Sequence, residues 1–374
     1  MKDCIEYFFE WEGSKRIESF ASEYLFHTQV RKYYGSHASF DWFMDFPDTK
    51  NSPLFIRFTG KEPVRNLNIA DRKFTHHLLK LGARVIFARY NPDTDSFEAA
   101  PVTEKVNGLT TPPPDDAAFL IMREAGKTQP DTPKVARNKD NARIKIRQVC
   151  EALGTNIVKH LHLQRRFINS VLRPALHRHP SDIDTVCLSG QHLHIIEFKR
   201  KFPARNYLTP MEGVTNECIR RSVQEYCGKT YKRQTDIYNH LCAKKLVKVT
   251  NHSVYGLDAG HVNAARWYSE NGLPYSLIHW EKGQKDRSRP VQSIEHIDTG
   301  SWNFLQEETL KFNLPYTLRF VGINFTFGKN SGMNGSVRIQ KMIDGASFKK
   351  RKGVSHSEQF SVTWKKASYQ QQIM

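Results

Sequence analysis

Residues 180–199 read PSDIDTVCLSGQHLHIIEFK. Two runs rich in β-formers, 183–188 and 193–198, flank Ser189-Gly190-Gln191, and a glycine in a short turn between such runs is typical of a β-hairpin. Carboxylates open the first run, and the second run ends in an acid that is followed two residues later by a lysine. The predicted hairpin therefore carries both acids and a lysine.

The predicted hairpin brings ionic groups together. Twelve residues separate Asp184 from Glu197, so a turn at Gly190 sets their side chains side by side. Because side chains alternate along a strand, Glu197 and Lys199 share one face, and Phe198 points to the opposite, apolar side. Two carboxylates offer hard oxygen ligands for a divalent cation, which is a requirement of metal-assisted phosphodiester hydrolysis.

These residues resemble the PD-(D/E)XK nuclease superfamily, whose members include restriction endonucleases and the nuclease domains of recombination and repair enzymes. The resemblance implies that Asp184 and Glu197, with the carbonyl of Phe198, bind one or two Mg²⁺ or Mn²⁺ ions, and that Lys199 positions water. It also implies a restriction-endonuclease-like αβββαβ core. The order of predicted elements agrees with that core: a helix at 141–158, strands at 167–176, 183–188 and 193–198, helix at 215–246 and a strand at 274–280.

A second motif extends the resemblance. Gln234-Thr235-Asp236-Ile237-Tyr238 lies in the second helical stretch and is similar to the Q-x-x-x-Y motif of the RecB-type branch. Residues four apart share a helix face, so Gln234 and Tyr238 are expected in the catalytic site, near Lys199 or the substrate phosphate. The alternative is that Tyr238 packs against Tyr231 and Leu241.

The sequence leaves three residues as candidates for a further metal ligand. Asp182 is the alternative to Asp184, because it follows Pro180-Ser181 and the sequence does not determine the strand register. Members of the superfamily also carry a glutamate or a histidine on the first helix of the core. The resemblance therefore makes Glu151 and His160 the other candidates.

The chain is strongly basic, with 56 Lys and Arg against 38 Asp and Glu and a formal net charge of +18. Such a surplus indicates a polyanionic partner, and nucleic acid is the commonest one because binding releases condensed counterions. Positive charge also gathers near the hairpin in sequence. The residues predicted to contact nucleic acid are Arg200, Lys201, Arg205, Lys229, Lys232 and Arg233.

The sequence shows no sign of a membrane or secreted protein. It has no apolar run approaching the roughly 20 residues that span a bilayer, and its N-terminus lacks the order of a signal peptide. The six cysteines are scattered without a C-x-x-C pair. We expect a soluble, cytoplasmic protein with reduced thiols.

Proline-rich sequence suggests how the chain is divided. TTPPPDD at 110–116 and TQPDTPK at 128–134 predict a linker over 107–140. The linker would separate an N-terminal α+β domain, 1–106, from the nuclease core, 141–289, and a basic, mostly β accessory region would follow over 290–374. The expected fold class is therefore α+β or α/β, with flanking regions that recognise the target or a protein partner.

The charge and the resemblance together imply a nuclease dependent on Mg²⁺ or Mn²⁺ that acts on DNA, in a defence, restriction, repair or mobile-element setting. A cut through both strands would favour a homodimer. Two other classes stay open. One is a nucleic-acid-binding protein that keeps the fold without the chemistry, and the other is a basic assembly protein in which Glu197 and Lys199 form an ordinary ion pair.

Overall fold

The chain folds into a mixture of helices and strands, which confirms the α+β class in general. The computed structural model describes residues 1–46, 52–61, 67–105, 108–132, 140–177, 180–201, 204–228, 233–281, 309–312, 320–327, 337–345 and 349–350.

The α-helices of these residues, in chain order, are α1 (Lys2–Trp11), α2 (Ser14–Tyr34), α3 (Ile69–Lys80), α4 (Ala117–Glu124), α5 (Asp140–Leu153), α6 (Thr155–Phe167), α7 (Arg173–Leu176), α8 (Asn216–Cys227), α9 (Gln234–Ala243) and α10 (Ala259–Glu270). Within the described ranges, none of them combines the length and the apolar character needed to cross a membrane.

The strands are β1 (Ala38–Ser39), β2 (Trp42–Asp45), β3 (Leu54–Phe58), β4 (Arg84–Asn91), β5 (Ser96–Pro101), β6 (Thr103–Lys105), β7 (Gly108–Thr110), β8 (Asp115–Asp116), β9 (Ser181–Ile183), β10 (Thr185–Ser189), β11 (His192–Lys201), β12 (Ala204–Pro210), β13 (Val247–Asp258), β14 (Tyr275–Glu281), β15 (Thr309–Phe312), β16 (Phe320–Phe327), β17 (Val337–Asp344) and β18 (Lys349–Lys350).

The predicted hairpin is present as β10 and β11. The two strands pair antiparallel, with Thr185 opposite Ile196, so the register sets Asp184 beside Glu197. Gly190 makes the turn at φ 59°, a left-handed conformation that glycine adopts without steric cost. The hairpin lies inside a six-stranded sheet of order β1-β10-β11-β14-β15-β18, in which β14 runs parallel to β11.

A second six-stranded sheet, of order β8-β5-β4-β3-β2-β9, adjoins the first. Its edge strand β9 pairs antiparallel with β2, with Trp42 opposite Ile183. Since β9 continues directly into β10, the two sheets meet at residues 181–185. Asp182 and Asp184 lie at this junction.

The N-terminal segment is not a domain apart from the centre of the chain, contrary to the predicted boundary. β1 pairs with β10 and β2 pairs with β9, so strands of both segments share their sheets. Trp42 and Phe55 also belong to the same hydrophobic core as Val186 and Ile195. Pairing satisfies backbone groups that strand edges would otherwise leave unpaired, and the two segments fold together.

The predicted linker at 107–140 contains a helix. The Asp116 side chain accepts a hydrogen bond from the Phe119 backbone N–H at 2.8 Å and caps α4. The helix then buries Ala117, Leu120 and Ile121 in a core with residues of the second sheet. A capped apolar helix face thus outweighs the prolines that precede it.

Residues 167–176, predicted as a strand, are helical. α6 ends at Phe167, a π-helical turn spans Ile168–Leu172, and α7 follows. Phe167 and Leu172 are fully buried in the core that α4 also joins. The β-propensity of this segment is overridden because a helix buries its apolar side chains against that core. Pro174 lies in the first turn of α7, where an amide donor is not needed.

A small closed barrel follows β11. Its strands are β12, β13, β17 and β16, and α8 and α9 pack on its core around Leu208, Val223 and Leu241. The described parts of the region 290–374 are strands, as predicted. They complete the barrel and the first sheet, however, and do not form a separate unit in the described residues.

An aromatic stack fixes helix α2 to the hairpin. The rings of Phe26 and Phe198 lie 4.5 Å apart between centroids at an interplanar angle of 14°, and both side chains are buried. Phe198 thus points to the apolar side of β11, as strand alternation predicted. Because Glu23 lies three residues before Phe26 on α2, the stack also determines where Glu23 is held.

We expect Phe26→Ala to lower the free energy of unfolding by about 3–5 kcal/mol, since it removes a fully buried ring and leaves a cavity. Urea denaturation followed by circular dichroism measures the loss. Phe119→Ala is the control, because that ring is 52% exposed on α4 and its removal should cost no more than about 1 kcal/mol. Equal losses in the two variants would contradict the anchoring role of Phe26.

Candidate functional site

Six ionisable side chains from several elements meet at the junction of the two sheets. Four of them are carboxylates, and the others are an ammonium and an imidazole group. We call this set the acidic cluster: Glu23 of α2, Asp182 of β9, Asp184 between β9 and β10, Glu197 and Lys199 of β11, and His261 of α10. The predicted neighbours Asp184, Glu197 and Lys199 are all among them.

The main chain holds Asp184. Its Oδ2 accepts a hydrogen bond from the backbone N–H of Phe198 at 2.5 Å, which ties the loop before β10 to β11. The side chain is buried, and its Oδ1 has no hydrogen-bond partner among the described residues. Burial, followed by the charge of Glu197, raises the pKa of Asp184 well above its usual range.

Lys199 provides a fixed positive charge between two acids. Its Nζ contacts Glu197 Oε1 and lies 3.9 Å from Asp184 Oδ2. Burial by itself would lower the pKa of Lys199, but the charges of Glu197 and Asp184 outweigh it and raise the pKa well above its usual range. Lys199 is therefore an ammonium ion at neutral pH.

His261 enters the cluster from the N-terminal end of α10. Its Nε2 lies 2.8 Å from Glu197 Oε1 and 3.5 Å from Asp182 Oδ1. The preceding Gly260 allows this approach, because a Cβ there would stand only 3.0 Å from Ser181 Oγ of β9. Burial lowers the pKa of His261, but Glu197 and then the hydrogen bond with Asp182 raise it to about 9 overall.

Glu23 completes the cluster from α2. One carboxylate oxygen each of Glu23, Asp182 and Asp184 lies within 4.8 Å of the other two. Burial, and then the charges of Asp184 and Asp182, raise the pKa of Glu23 well above its usual range. The three acids thus repel one another at neutral pH.

The acidic cluster fits a divalent cation. The raised pKa of Asp184 indicates that the positive charge nearby does not balance its buried carboxylate. Asp184 Oδ1 also has no hydrogen-bond donor in the described part of the chain. Carboxylate oxygens are the ligands that Mg²⁺ and Mn²⁺ prefer. The carboxylates that would hold the cation are Glu23, Asp182, Asp184 and Glu197. Ligation by the Phe198 carbonyl stays a prediction.

Gln234 and Tyr238 do not contact the acidic cluster in the described structure, contrary to the prediction from the Q-x-x-x-Y motif. Tyr238 Oη donates a hydrogen bond to Asn324 Oδ1 at 2.7 Å, and Gln234 Nε2 lies 3.1 Å from the same oxygen. Tyr238 is buried in the barrel core with Leu241. The two residues share a helix face as expected, but that face packs on the barrel.

The other two ligand candidates lie elsewhere. Glu151 is exposed on α5. His160 Nε2 lies 3.5 Å from Asp41 Oδ2, and His160 and Asp41 line a small cavity that Glu23 also borders. Of the three open candidates, Asp182 is the one in the acidic cluster.

The predicted nucleic-acid contacts are only partly described. Arg205 and Arg233 are exposed, and Arg233 Nε pairs with Asp236 at 3.1 Å. The remaining predicted contacts have side chains outside the described residues: Arg200, Lys201, Lys229 and Lys232.

The chain matches no protein-family model, no curated protein and no solved structure with which it was compared.

Glu23 and His261 were not predicted as site residues from the sequence. Glu23 lies in the segment interpreted as a separate domain, and His261 belongs to none of the motifs identified in the sequence. A signal was present for Glu23, because it lies three and seven residues before the buried Phe26 and Val30, on one helix face. An acid on an apolar face is a candidate for a buried site.

We expect Asp184→Asn to stabilise the protein in EDTA at pH 8. A carboxyl whose pKa is raised by folding binds its proton more tightly in the folded state, so stability falls as pH rises above the usual value. Asparagine keeps an acceptor for the Phe198 N–H without the charge. The gain should be about 1 kcal/mol or more, because one unit of pKa corresponds to about 1.4 kcal/mol.

Urea denaturation at several pH values measures this gain, which should shrink as pH is lowered toward about 4. Asp236→Asn is the control, because Asp236 pairs with Arg233 at the surface and should show no gain. An Asp184→Asn protein that is less stable than the native protein at pH 8 in EDTA would be the contrary result.

Proposed function

We propose that this protein is a metal-dependent nuclease that hydrolyses phosphodiester bonds, with DNA as its substrate. The observation that carries the proposal is the acidic cluster, in which buried Asp184 and Glu197 adjoin Lys199 on neighbouring strands. The proximity of Asp184, Glu197 and Lys199 supports the resemblance to the PD-(D/E)XK superfamily, whereas Gln234 and Tyr238 give it no support. The restriction-endonuclease-like core is part of the proposal.

The cation ligands would come from several elements. Asp184 and Glu197 would hold Mg²⁺ or Mn²⁺, with Asp182 and Glu23 beside them. When bound, such an ion supplies Lewis-acid polarisation of the phosphate and lowers the pKa of a bound water. The burial of Asp184 and Glu197 keeps their carboxylate oxygens oriented and excludes competing hydrogen bonds from bulk water.

Lys199 would position and stabilise rather than accept a proton. Its ammonium group is held beside Glu197 and Asp184 and keeps its proton at neutral pH. A fixed N–H donor at this place can orient a water molecule toward a phosphate and offset negative charge that develops during attack. Lys199 therefore contributes orientation and electrostatic stabilisation.

Charge supports nucleic acid as the substrate class. The chain carries a formal net charge of +18, although the acidic cluster itself is rich in carboxylates. A net positive charge attracts the phosphate backbone, and a cation at the acidic cluster would neutralise the scissile phosphate. The choice of DNA, and of a defence, restriction, repair or mobile-element role, comes from the family resemblance.

We expect the purified full chain to cleave plasmid or linear DNA in Mg²⁺ or Mn²⁺ and to be inactive in EDTA. Lys199→Met should lower the cleavage rate by about 10²–10³-fold, the usual loss for one electrostatic donor. Gel assays of plasmid and of labelled single- and double-stranded oligonucleotides measure cleavage, and fluorescence anisotropy in Ca²⁺ measures binding.

Lys73→Met is the matched control, because Lys73 is an exposed lysine of α3 whose Nζ lies 3.3 Å from Gln191 at the tip of the same hairpin. Its cleavage rate should equal that of the native protein. Binding without cleavage in either metal would favour a non-catalytic nucleic-acid-binding protein, and neither binding nor cleavage would favour a basic assembly protein.

A further inference from the structure

The acidic cluster contains two groups of three ligand atoms. One group is all oxygen and joins Glu23, Asp182 and Asp184, while the other joins Asp182 and Glu197 to the imidazole of His261. In each group the ligand atoms lie within 4.8 Å of one another, and Asp182 belongs to both. The two groups therefore adjoin each other and differ in chemistry.

We propose that the cluster binds two unlike cations, and that His261 Nε2 is a direct ligand of the second one, together with Asp182 and Glu197. The inference rests on the proposed function, since it concerns the same site, and adds to it a nitrogen ligand and a metal preference. An all-oxygen group suits Mg²⁺, whereas imidazole nitrogen with carboxylate oxygen favours Mn²⁺ or Zn²⁺ over Mg²⁺.

The distances around His261 suit an ion placed between His261, Asp182 and Glu197. With metal–ligand bonds of about 2.1 Å, neighbouring ligand atoms stand roughly 3–3.5 Å apart. His261 Nε2 lies 2.8 Å from Glu197 Oε1 and 3.5 Å from Asp182 Oδ1. The ion would take the place of the Nε2 proton, which is released to solvent on binding, with small adjustments of the three side chains. The side chains of Glu197 and His261 are 3% and 17% exposed, whereas that of Asp182 is 36% exposed, so solvent reaches this group from the Asp182 side.

The buried surroundings give independent support for a ligand at the cluster. Asp184 is 1% exposed and its Oδ1 has no hydrogen-bond partner among the described residues. An oxygen buried in this way is costly unless a cation or donor reaches it. Asp182 belongs to both groups of ligand atoms and would therefore be shared between an ion at each group.

The position of α10 explains how His261 is aimed. The close approach of Gly260 to Ser181 of β9 fixes the first turn of the helix against the strand that carries Asp182. A side chain on a rigid helix terminus needs little reordering when an ion binds, which favours ligation over solvent exposure. His261 is thus a preorganised ligand and not a surface residue.

Electron paramagnetic resonance of Mn²⁺ titrated into the full chain tests the inference directly. We expect two Mn²⁺ ions per chain, and electron spin echo modulation from one imidazole nitrogen. Added Mg²⁺ should displace the ion without nitrogen modulation first. His261→Gln should reduce the stoichiometry to one Mn²⁺ and abolish the nitrogen modulation.

His252→Gln is the matched control, because His252 Nε2 also lies 2.8 Å from a carboxylate, Asp344 Oδ1, but on the barrel. Its spectra should equal those of the native protein. If His261→Gln fails to fold, the spectrum of the native protein decides whether His261 is a ligand. Nitrogen modulation shows that an imidazole nitrogen binds Mn²⁺. Its absence shows that the imidazole only pairs with Glu197.

The possible failures are distinguishable. Mn²⁺ bound without nitrogen modulation, in a protein that still cleaves DNA, would overturn the role of His261 and leave the proposed function intact. Absence of any Mn²⁺ binding would overturn both.

Discussion

The register between β10 and β11 is the constraint on which the candidate site depends. A slip of one residue would turn Glu197 and Lys199 to the apolar side of the sheet and bring Phe198 into the acidic cluster. Two contacts of Phe198 hold this register: its backbone N–H donates a hydrogen bond to Asp184, and its ring stacks on Phe26. Apolar packing on one face of β11 thus determines the ionic geometry on the other.

Repulsion among buried carboxylates acts against this register. Asp184 and Glu23 both have pKa values raised by burial and by neighbouring negative charge, so the cluster opposes folding at neutral pH. Buried charge of this kind persists only where surrounding packing outweighs it. Lys199 offsets part of the charge, and a bound cation would offset more. The same residues therefore connect the stability of the protein with its proposed chemistry.

The site belongs to the chain as a whole and not to its middle third. Helix α2 supplies Glu23, and β2 pairs with the strand that carries Asp182, so residues from the first 46 positions help to build the cluster. Conversely, Gln234 and Tyr238 resemble catalytic residues in sequence but support the barrel through Asn324. Proximity in sequence to the hairpin is a poor guide to membership in the site.

The sequence by itself determined the hairpin and the grouping of Asp184, Glu197 and Lys199, because strand alternation and a glycine turn are local properties of neighbouring residues. Only the tertiary structure decided that Glu23 and His261 join them, since these residues reach the site through the packing of helices on distant strands. The spacing of Gln234 and Tyr238 likewise predicted a shared helix face but not the surface it meets. Local patterns determine which side chains point together, whereas the burial of apolar faces across the whole chain determines what they point toward.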